Sequence, residues 1–305
     1  QVPDAEAESQ LAMEVYPTEH IEEYPDTGAD PRNDLTPIGT GPFEFAEYST
    51  EEFARFTAFE DYWLDDLGLE VLEWWDGPEG FPTSPVVDEV NVSIVTDDAT
   101  RAAALNNGEI DLTYGLATDT YADYREAEEF RLSVTNAGAY NFLQFPVTVE
   151  PWDDERIRRG ANQLIPRAQI AENVYGGYRT PAYVPLPELA AEEGTADYEA
   201  LLEELRSQTE QDVEAATDLL AEAVDDLGIE PPIEATIETN SSDDRVREAE
   251  LISQVLSDTE YFEVGVETFD FTTLVQRIQG PEYYTRGKIV LIGLSGTFNP
   301  GSFYD

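Results

Sequence analysis

Tyr140-Asn141-Phe142-Leu143-Gln144-Phe145 runs into Pro146; soon after, Pro151-Trp152-Asp153-Asp154 opens a segment that closes at Gly176-Gly177-Tyr178. The first run is apolar and aromatic, and it ends where a proline removes the next ladder donor, so it reads as a strand. Asp153 or Asp154 is placed to cap a helix whose first turn carries Asp154 and Glu155, the charge sign a helix N-terminus favours. Ile157, Ala161, Leu164 and Ile165 share one face of that helix. The two glycines stop the helix that follows. Upstream, the chain reads mostly as strands with one short helix; downstream, helices and strands alternate. The stretch is therefore read as the passage between two lobes. Residues 1–139 contribute to the first, residues 140–305 to the second, and the hinge lies near 140–146.

Downstream, the pattern is regular. Residues 180–211 read as loop and acidic helix. Asp212 caps a helix bearing Val213, Ala216, Leu219, Leu220, Ala223 and Leu227, closed by Gly228. A strand follows Pro231-Pro232 at 233–237. Ser242 caps a helix with Val246, Ala249, Ile252, Val255 and Leu256. Phe262, Val264 and Val266 alternate as a strand. Asp270 caps a helix with Phe271, Leu274, Val275 and Ile278. Ile289 to Ile292 is apolar at every position, which predicts a strand covered on both faces. This order describes an open α/β lobe. The loop Gly293-Leu294-Ser295-Gly296-Thr297-Phe298-Asn299-Pro300-Gly301-Ser302-Phe303 leaves that strand at its carboxyl end, where such lobes place ligand loops.

Upstream, residues 1–36 are acidic and proline-punctuated, with a possible strand at 12–16. Gly39-Thr40-Gly41-Pro42 forms a tight turn. Phe43 and Phe45 begin an alternating strand, and Phe53, Phe56 and Phe59 continue the apolar signal as far as Tyr62-Trp63. Trp74, Trp75 and Phe81 lie in a Gly/Pro-rich loop and are read as a plug for the lobe. Val90, Val92 and Ile94 alternate as a strand. Asp97 or Asp98 caps a helix with Ala99, Ala102, Ala103 and Leu105. Ile110, Leu112 and Tyr114 alternate as a further strand, completing a compact βαβ-like unit.

The charge is extreme: 16 basic residues against 66 acidic ones, a formal net charge of −50 over 305 residues. Lys288 is the only lysine. Such a surface repels nucleic acids and anionic membranes, and it repels itself unless salt screens it. Acidic residues lie in every segment, which suggests adaptation to molar salt. With no cysteine and only His20 as histidine, disulfides, Cys-based zinc sites and Ser-His-Asp or Cys-His catalysis are excluded. No metal or cofactor is expected, and no apolar run is long enough to span a bilayer. The carboxylate pairs Asp153-Asp154-Glu155, Asp65-Asp66 and Asp243-Asp244 would suit a glycoside hydrolase. Chance pairs are common in so acidic a chain, however, and these sit at helix starts. A cell-surface structural protein would show tandem repeats, and none is found.

Several blocks resemble one family, the extracellular solute-binding proteins of ABC importers that carry oligopeptides, dipeptides and nickel. Gly39-Thr40-Gly41-Pro42-Phe43 with the following aromatic strand and Asp61-Tyr62-Trp63 is similar to one family block. Val95-Thr96-Asp97-Asp98-Ala99-Thr100-Arg101 with Ala104-Leu105 and Gly108-Glu109-Ile110-Asp111 is similar to the next. Asp154, Arg156 and Arg158 with Gly160-Ala161, Ile165-Pro166-Arg167, Gly176-Gly177-Tyr178 and Thr180-Pro181-Ala182 resemble a third, and the final loop resembles a fourth. The resemblance implies a two-lobe α/β fold of the type II periplasmic-binding-protein kind, here with both lobes incomplete, because family members are considerably longer.

It also implies a function without chemistry. The protein would trap a small solute and deliver it to an ABC permease, as an extracellular, cell-surface, haloarchaeal-like monomer. A lipid anchor would need a cysteine upstream of Gln1. Candidate ligand-contact residues are Tyr114, Tyr140, Asn141, Ser295, Thr297, Phe298 and Asn299. In peptide-binding members an aspartate of the final loop pairs with the ligand's α-ammonium; Thr297 stands at the matching position, and Leu294 replaces the motif's tryptophan. The solute is therefore left as a peptide, a sugar or a metal chelate.

Overall fold

The computed structural model describes residues 39–72, 75–134, 139–184 and 196–295. The chain divides into two compact units, 1–96 and 97–305. The expectations placed on residues 1–36, His20, Trp74, 185–195 and 296–303 lie outside the described residues.

The first unit is built on an antiparallel sheet, ordered β1 (Phe43–Ser49), β2 (Phe53–Ala58), β3 (Glu89–Ser93). Its register sets Phe43 opposite Ala58, Phe45 opposite Phe56, and Phe56 opposite Val90. Paired residues share a face, so the alternating aromatics gather on one side. Phe45 and Phe56 meet edge to face with centroids 6.0 Å apart. A short helix, α1 (Trp63–Leu67), follows the hairpin, and Trp63 Nε1 donates to the Thr40 carbonyl of the predicted turn at 3.1 Å. Trp75 packs on Phe81, with centroids 4.8 Å apart.

The second unit opens with α2 (Asp98–Asn106), capped by Asp97, whose side chain accepts from the Thr100 N–H. The strand expected over 110–114 is not formed. Among the described residues the segment pairs with no strand, and Leu112 and Tyr114 are 84% and 91% exposed. Alternation makes a strand only where a neighbour supplies ladder bonds and a surface to bury against. The βαβ-like unit is therefore not formed, and β3 belongs instead to the antiparallel sheet of the first unit. A short helix that the sequence pattern did not announce, α3 (Tyr121–Glu126), follows a single 3₁₀ turn at Thr118–Thr120.

Then comes β4 (Ala139–Gln144), α4 (Glu155–Leu164), α5 (Arg167–Asn173), α6 (Ala196–Thr209), α7 (Val213–Leu227), β5 (Ile233–Asn240), α8 (Asp243–Ser257), β6 (Phe262–Phe269), α9 (Phe271–Gln279) and β7 (Ile289–Ser295). The sheet order is β4-β7-β5-β6. β5 runs parallel to β6 and β7, and β4 runs antiparallel to β7. Asp154, Asp212 and Asp270 cap α4, α7 and α9 through their side chains, and Gly228 ends α7 in the left-handed conformation. Ser242 occupies the N-cap position of α8 but makes no side-chain cap bond.

One core joins Ile157, Ala161, Leu164, Leu220, Ile237, Ile252, Leu256, Phe262, Ile289 and Leu291. A second, smaller cluster of Leu274, Tyr283 and Val290 covers the other face. β7 is thus covered on both sides, as its unbroken apolar run predicts. Trp152, just past the strand of the opening stretch, lies between Phe145 and Phe262 at 5.2 and 5.8 Å.

The α4–α7 contact is close because residue 160 is glycine. A Cβ there would stand 2.5 Å from Leu220 Cγ, and Leu220 is fully buried. We expect Gly160→Ala to destabilise the protein by about 1–3 kcal/mol through overpacking, even though alanine is the better helix former. A urea titration reads the change; a gain in stability would mean that helix propensity outweighs the clash.

Candidate functional site

The parallel strands β5, β6 and β7 all end at one edge of the sheet, at Asn240, Phe269 and Ser295. Because β4 is antiparallel, its amino end lies at this same edge. Ala139 pairs with Ser295, Tyr140 with Leu294, and Asn141 with Gly293. α8 starts only a few residues after β5, so its first turns stand there too. The carboxyl edge of such a sheet is where open α/β folds bind ligands.

Four side chains converge at this edge. Asn141 Nδ2 donates to Tyr175 Oη at 3.0 Å and to Glu248 Oε2 at 2.8 Å. The Tyr175 hydroxyl donates to the same Glu248 oxygen at 2.6 Å. Asn141 Oδ1 accepts from Arg245 Nη2 at 2.9 Å, and Arg245 Nε lies 3.9 Å from Glu248. Gly293 leaves room for this arrangement: a Cβ there would stand 3.0 Å from both Arg245 Nη2 and Asn141 Oδ1. Arg245 Nη1 is buried and has no hydrogen-bond partner among the described residues. A buried donor left without an acceptor costs about 1–3 kcal/mol.

A second layer holds the first in place. The Thr118 N–H donates to the Asp244 carboxylate at 3.1 Å, and the Thr118 hydroxyl donates to the Val174 carbonyl at 2.9 Å. Arg247 pairs with Asp119 at 2.9 Å. The Arg179 guanidinium lies 4.0 Å over the Tyr175 ring, and Tyr121 meets Tyr178 edge to face. Burial pushes the Asp244 carboxyl up from its ordinary value, against the lowering effect of its Thr118 bonds. Burial, followed by the nearby Glu248 charge, pushes the Tyr175 phenol up. That phenol stays a neutral donor across the physiological range.

Of the residues expected at the site, Tyr140, Asn141 and Ser295 fall together on the paired ends of β4 and β7. Asn141 enters the polar cluster just described, and the Tyr140 ring packs against Phe142 with centroids 5.6 Å apart. Tyr114 is solvent-exposed and joins none of these bonds. Thr297, Phe298 and Asn299 lie outside the described residues. Arg245, Glu248 and Tyr175 were not anticipated from the sequence. A signal for two of them existed: Arg245 and Glu248 lie on the stripe of α8 that continues as Ala249, Ile252 and Leu256, so two charges interrupt an apolar face.

Other features have quieter explanations. Asp154 caps α4 and pairs with Arg156, Asp65 accepts from Thr83 and Ser84, and Asp244 is tied to Thr118. These carboxylates are thus occupied structurally. An open polar hollow of about 500 Å³ at the opposite end of the sheet is lined by Glu234, Thr236, Glu263, Arg286 and Lys288. Its lining carries charges of both signs, and Lys288 Nζ donates to Thr236 Oγ1 at 2.8 Å. Among the described residues, no three His, Cys, Asp or Glu side chains gather to hold a metal ion, and no helix is long and apolar enough to cross a membrane.

Comparison with known proteins gives a consistent result. The family model described as bacterial extracellular solute-binding proteins, family 5 middle, matches residues 2–302. A glutathione-binding protein of Pectobacterium atrosepticum is 26% identical over 50% of this chain and 26% of its own length. Heme-binding protein A of Haemophilus influenzae is 27% identical over 57% of this chain and 29% of its own length. Among solved structures, the ABC transporter-associated periplasmic binding protein DppA of Helicobacter pylori, in complex with the peptide STSA, superposes with a TM-score of 0.75 at 18% identity. That match covers 99% of this chain and 52% of the other, so the chain spans about half of that protein and less of the two curated relatives.

Proposed function

This chain belongs to the family 5 extracellular solute-binding proteins, and from that premise we propose that it captures a small solute and hands it, chemically unchanged, to an ABC importer permease. Proteins of this family work outside the cytoplasmic membrane and are binding proteins, not enzymes; the mixed α/β architecture is theirs. One carboxylate of each pair that would serve a hydrolase has a structural role, and nothing favours a glycosidase or a structural cell-surface protein. In our reading residues 1–139 and 140–305 contribute to two lobes hinged near 140–146. The protein acts as an extracellular monomer, suited to high salt. Tyr140, Asn141 and Ser295 sit at the ligand edge, with Tyr114 and the Thr297-Phe298-Asn299 loop as further contacts.

The observation that carries the reading is Arg245. Its guanidinium is held by Asn141 at the carboxyl edge of the sheet, yet one buried nitrogen lacks an acceptor among the described residues. A ligand carboxylate would supply it. Glutathione and peptides, named for the relative and the structural neighbour above, both bear carboxylates. Binding stabilises whichever state makes the better contacts with the solute.

The test is calorimetric titration, in molar NaCl, of small peptides including glutathione and of their C-terminal amides. The acids are expected to bind about 10-fold or more tighter than the amides, the range for a hydrogen bond to a charged group. Arg245→Gln should abolish that preference. Equal binding of acid and amide by the wild type, or an unchanged preference in the variant, would contradict the reading.

A further inference from the structure

We propose that Tyr175 and Glu248 are positioning residues that make the site selective for an anionic group, by locking the Asn141 amide so that only its oxygen can face Arg245. The inference deepens the reading of Arg245 as an anion contact and rests on it. An amide can present either end to a neighbour. Here Nδ2 is taken by two acceptors, Tyr175 Oη and Glu248 Oε2, which are themselves joined by the tyrosine's own hydrogen bond. This closed ring fixes the orientation. Turned over, the amide would set its N–H groups against the guanidinium and its oxygen against the Glu248 carboxylate oxygen. Oriented as it is, Oδ1 holds Nη2 at 2.9 Å, and Nη1 is left as a buried donor without a partner among the described residues.

The charge arithmetic points the same way. The Glu248 carboxylate and the Arg245 guanidinium are both largely buried, with 9% and 14% of their side chains exposed. Yet their closest approach is 3.9 Å, which is not a hydrogen bond. Glu248 spends its bonds on Asn141 and Tyr175, and its negative charge acts on Arg245 at one remove. The guanidinium is therefore oriented but not neutralised by a direct bidentate pair, the arrangement that would have filled both its nitrogens. Tyr175 is in turn fixed from outside by Arg179 stacked on its ring. Partners behind a ligand-binding side chain set its direction in this way and change affinity when removed.

Tyr175→Phe removes one acceptor of the Asn141 amide and the donor to Glu248, with no change of shape. Tyr175→Met removes the same hydroxyl from the ring and keeps the Glu248 charge, should the phenylalanine variant not fold. Both are titrated with the acid and amide peptides used for Arg245, and each variant's unfolding midpoint is measured. The expected result is a fall of about 10-fold in the preference for acid over amide, with amide affinity nearly unchanged. If acid and amide affinities fall together, the ring has only a structural role and the proposal is overturned; an unchanged preference in both variants overturns it as well. In those two outcomes a wild-type preference for the acid keeps Arg245 as the anion contact. A wild type without that preference removes both readings.

Discussion

Replacing Glu238 with glutamine should cost about 3–5 kcal/mol of stability, the range for breaking a buried ion pair by deleting one partner's charge. Glu238 lies on β5 with no exposed surface. Arg277 and Arg286 both pair with it, the latter at 2.6 Å, and these guanidiniums also lie over the Phe269 and Tyr283 rings. The substitution keeps the volume and leaves two arginines, partly exposed, facing a neutral amide at a position with no exposed surface. Chemical denaturation at constant high salt reads the loss. Adding Arg277→Gln to Glu238→Gln should recover part of it, since the coupling between touching charges is not additive. A loss below about 1 kcal/mol, typical of an exposed pair, would show that water reaches the carboxylate.

The second large effect is salt dependence. With a formal net charge of −50, the folded chain holds far more like charge than its 16 basic residues can balance. Folding brings those carboxylates closer together, so repulsion disfavours the compact state. The screening length falls from about 10 Å at 0.1 M to about 3 Å at 1 M ionic strength. We expect the melting temperature to rise by on the order of 10 °C or more over that interval, the shift that several kcal/mol produces in a chain of this size. The same screening should raise affinity for anionic solutes, which the unscreened surface repels. A melting temperature that is flat or falling with NaCl would remove the case for adaptation to salt.

Much of the second unit was legible because local chemistry and tertiary need agree there. Aspartates at 97, 154, 212 and 270 cap helices because a short carboxylate before an apolar periodic run has free N–H groups to accept from. The unbroken apolar run at 289–292 could only be a covered strand. Where the reading failed, a partner was missing or the signal was too short. Ile110, Leu112 and Tyr114 alternate correctly, but no strand among the described residues pairs with them. α3 has only six residues, too few for a period to register. β5 and β7 run past their apolar cores to Asn240 and Ser295, because ladder pairing continues through polar residues.

The candidate site was half legible. Asn141 was picked as a polar group at a strand end, and its place at the edge follows from β4 pairing with β7. Sequence cannot show that pairing to be antiparallel, nor that it brings Asn141 to the first turns of α8. Arg245 and Glu248 are hidden in the sequence because a charged helix start in an acidic chain looks like solvated surface. Only their place on the apolar stripe with Ile252 and Leu256 marks them as inward, and Tyr175 has no marker beyond its position before two glycines.

The central claim is that a solute is held at the Arg245 edge and released intact. Its most direct test is to saturate the protein with a carboxylate-bearing peptide in molar salt, then free the peptide and weigh it by mass spectrometry. We predict saturable binding with the full amount recovered at its original mass, and loss of that binding on competition with excess unlabelled acid. Recovery of cleaved peptide, or the absence of saturable binding by any carboxylate-bearing peptide tested, would contradict the account.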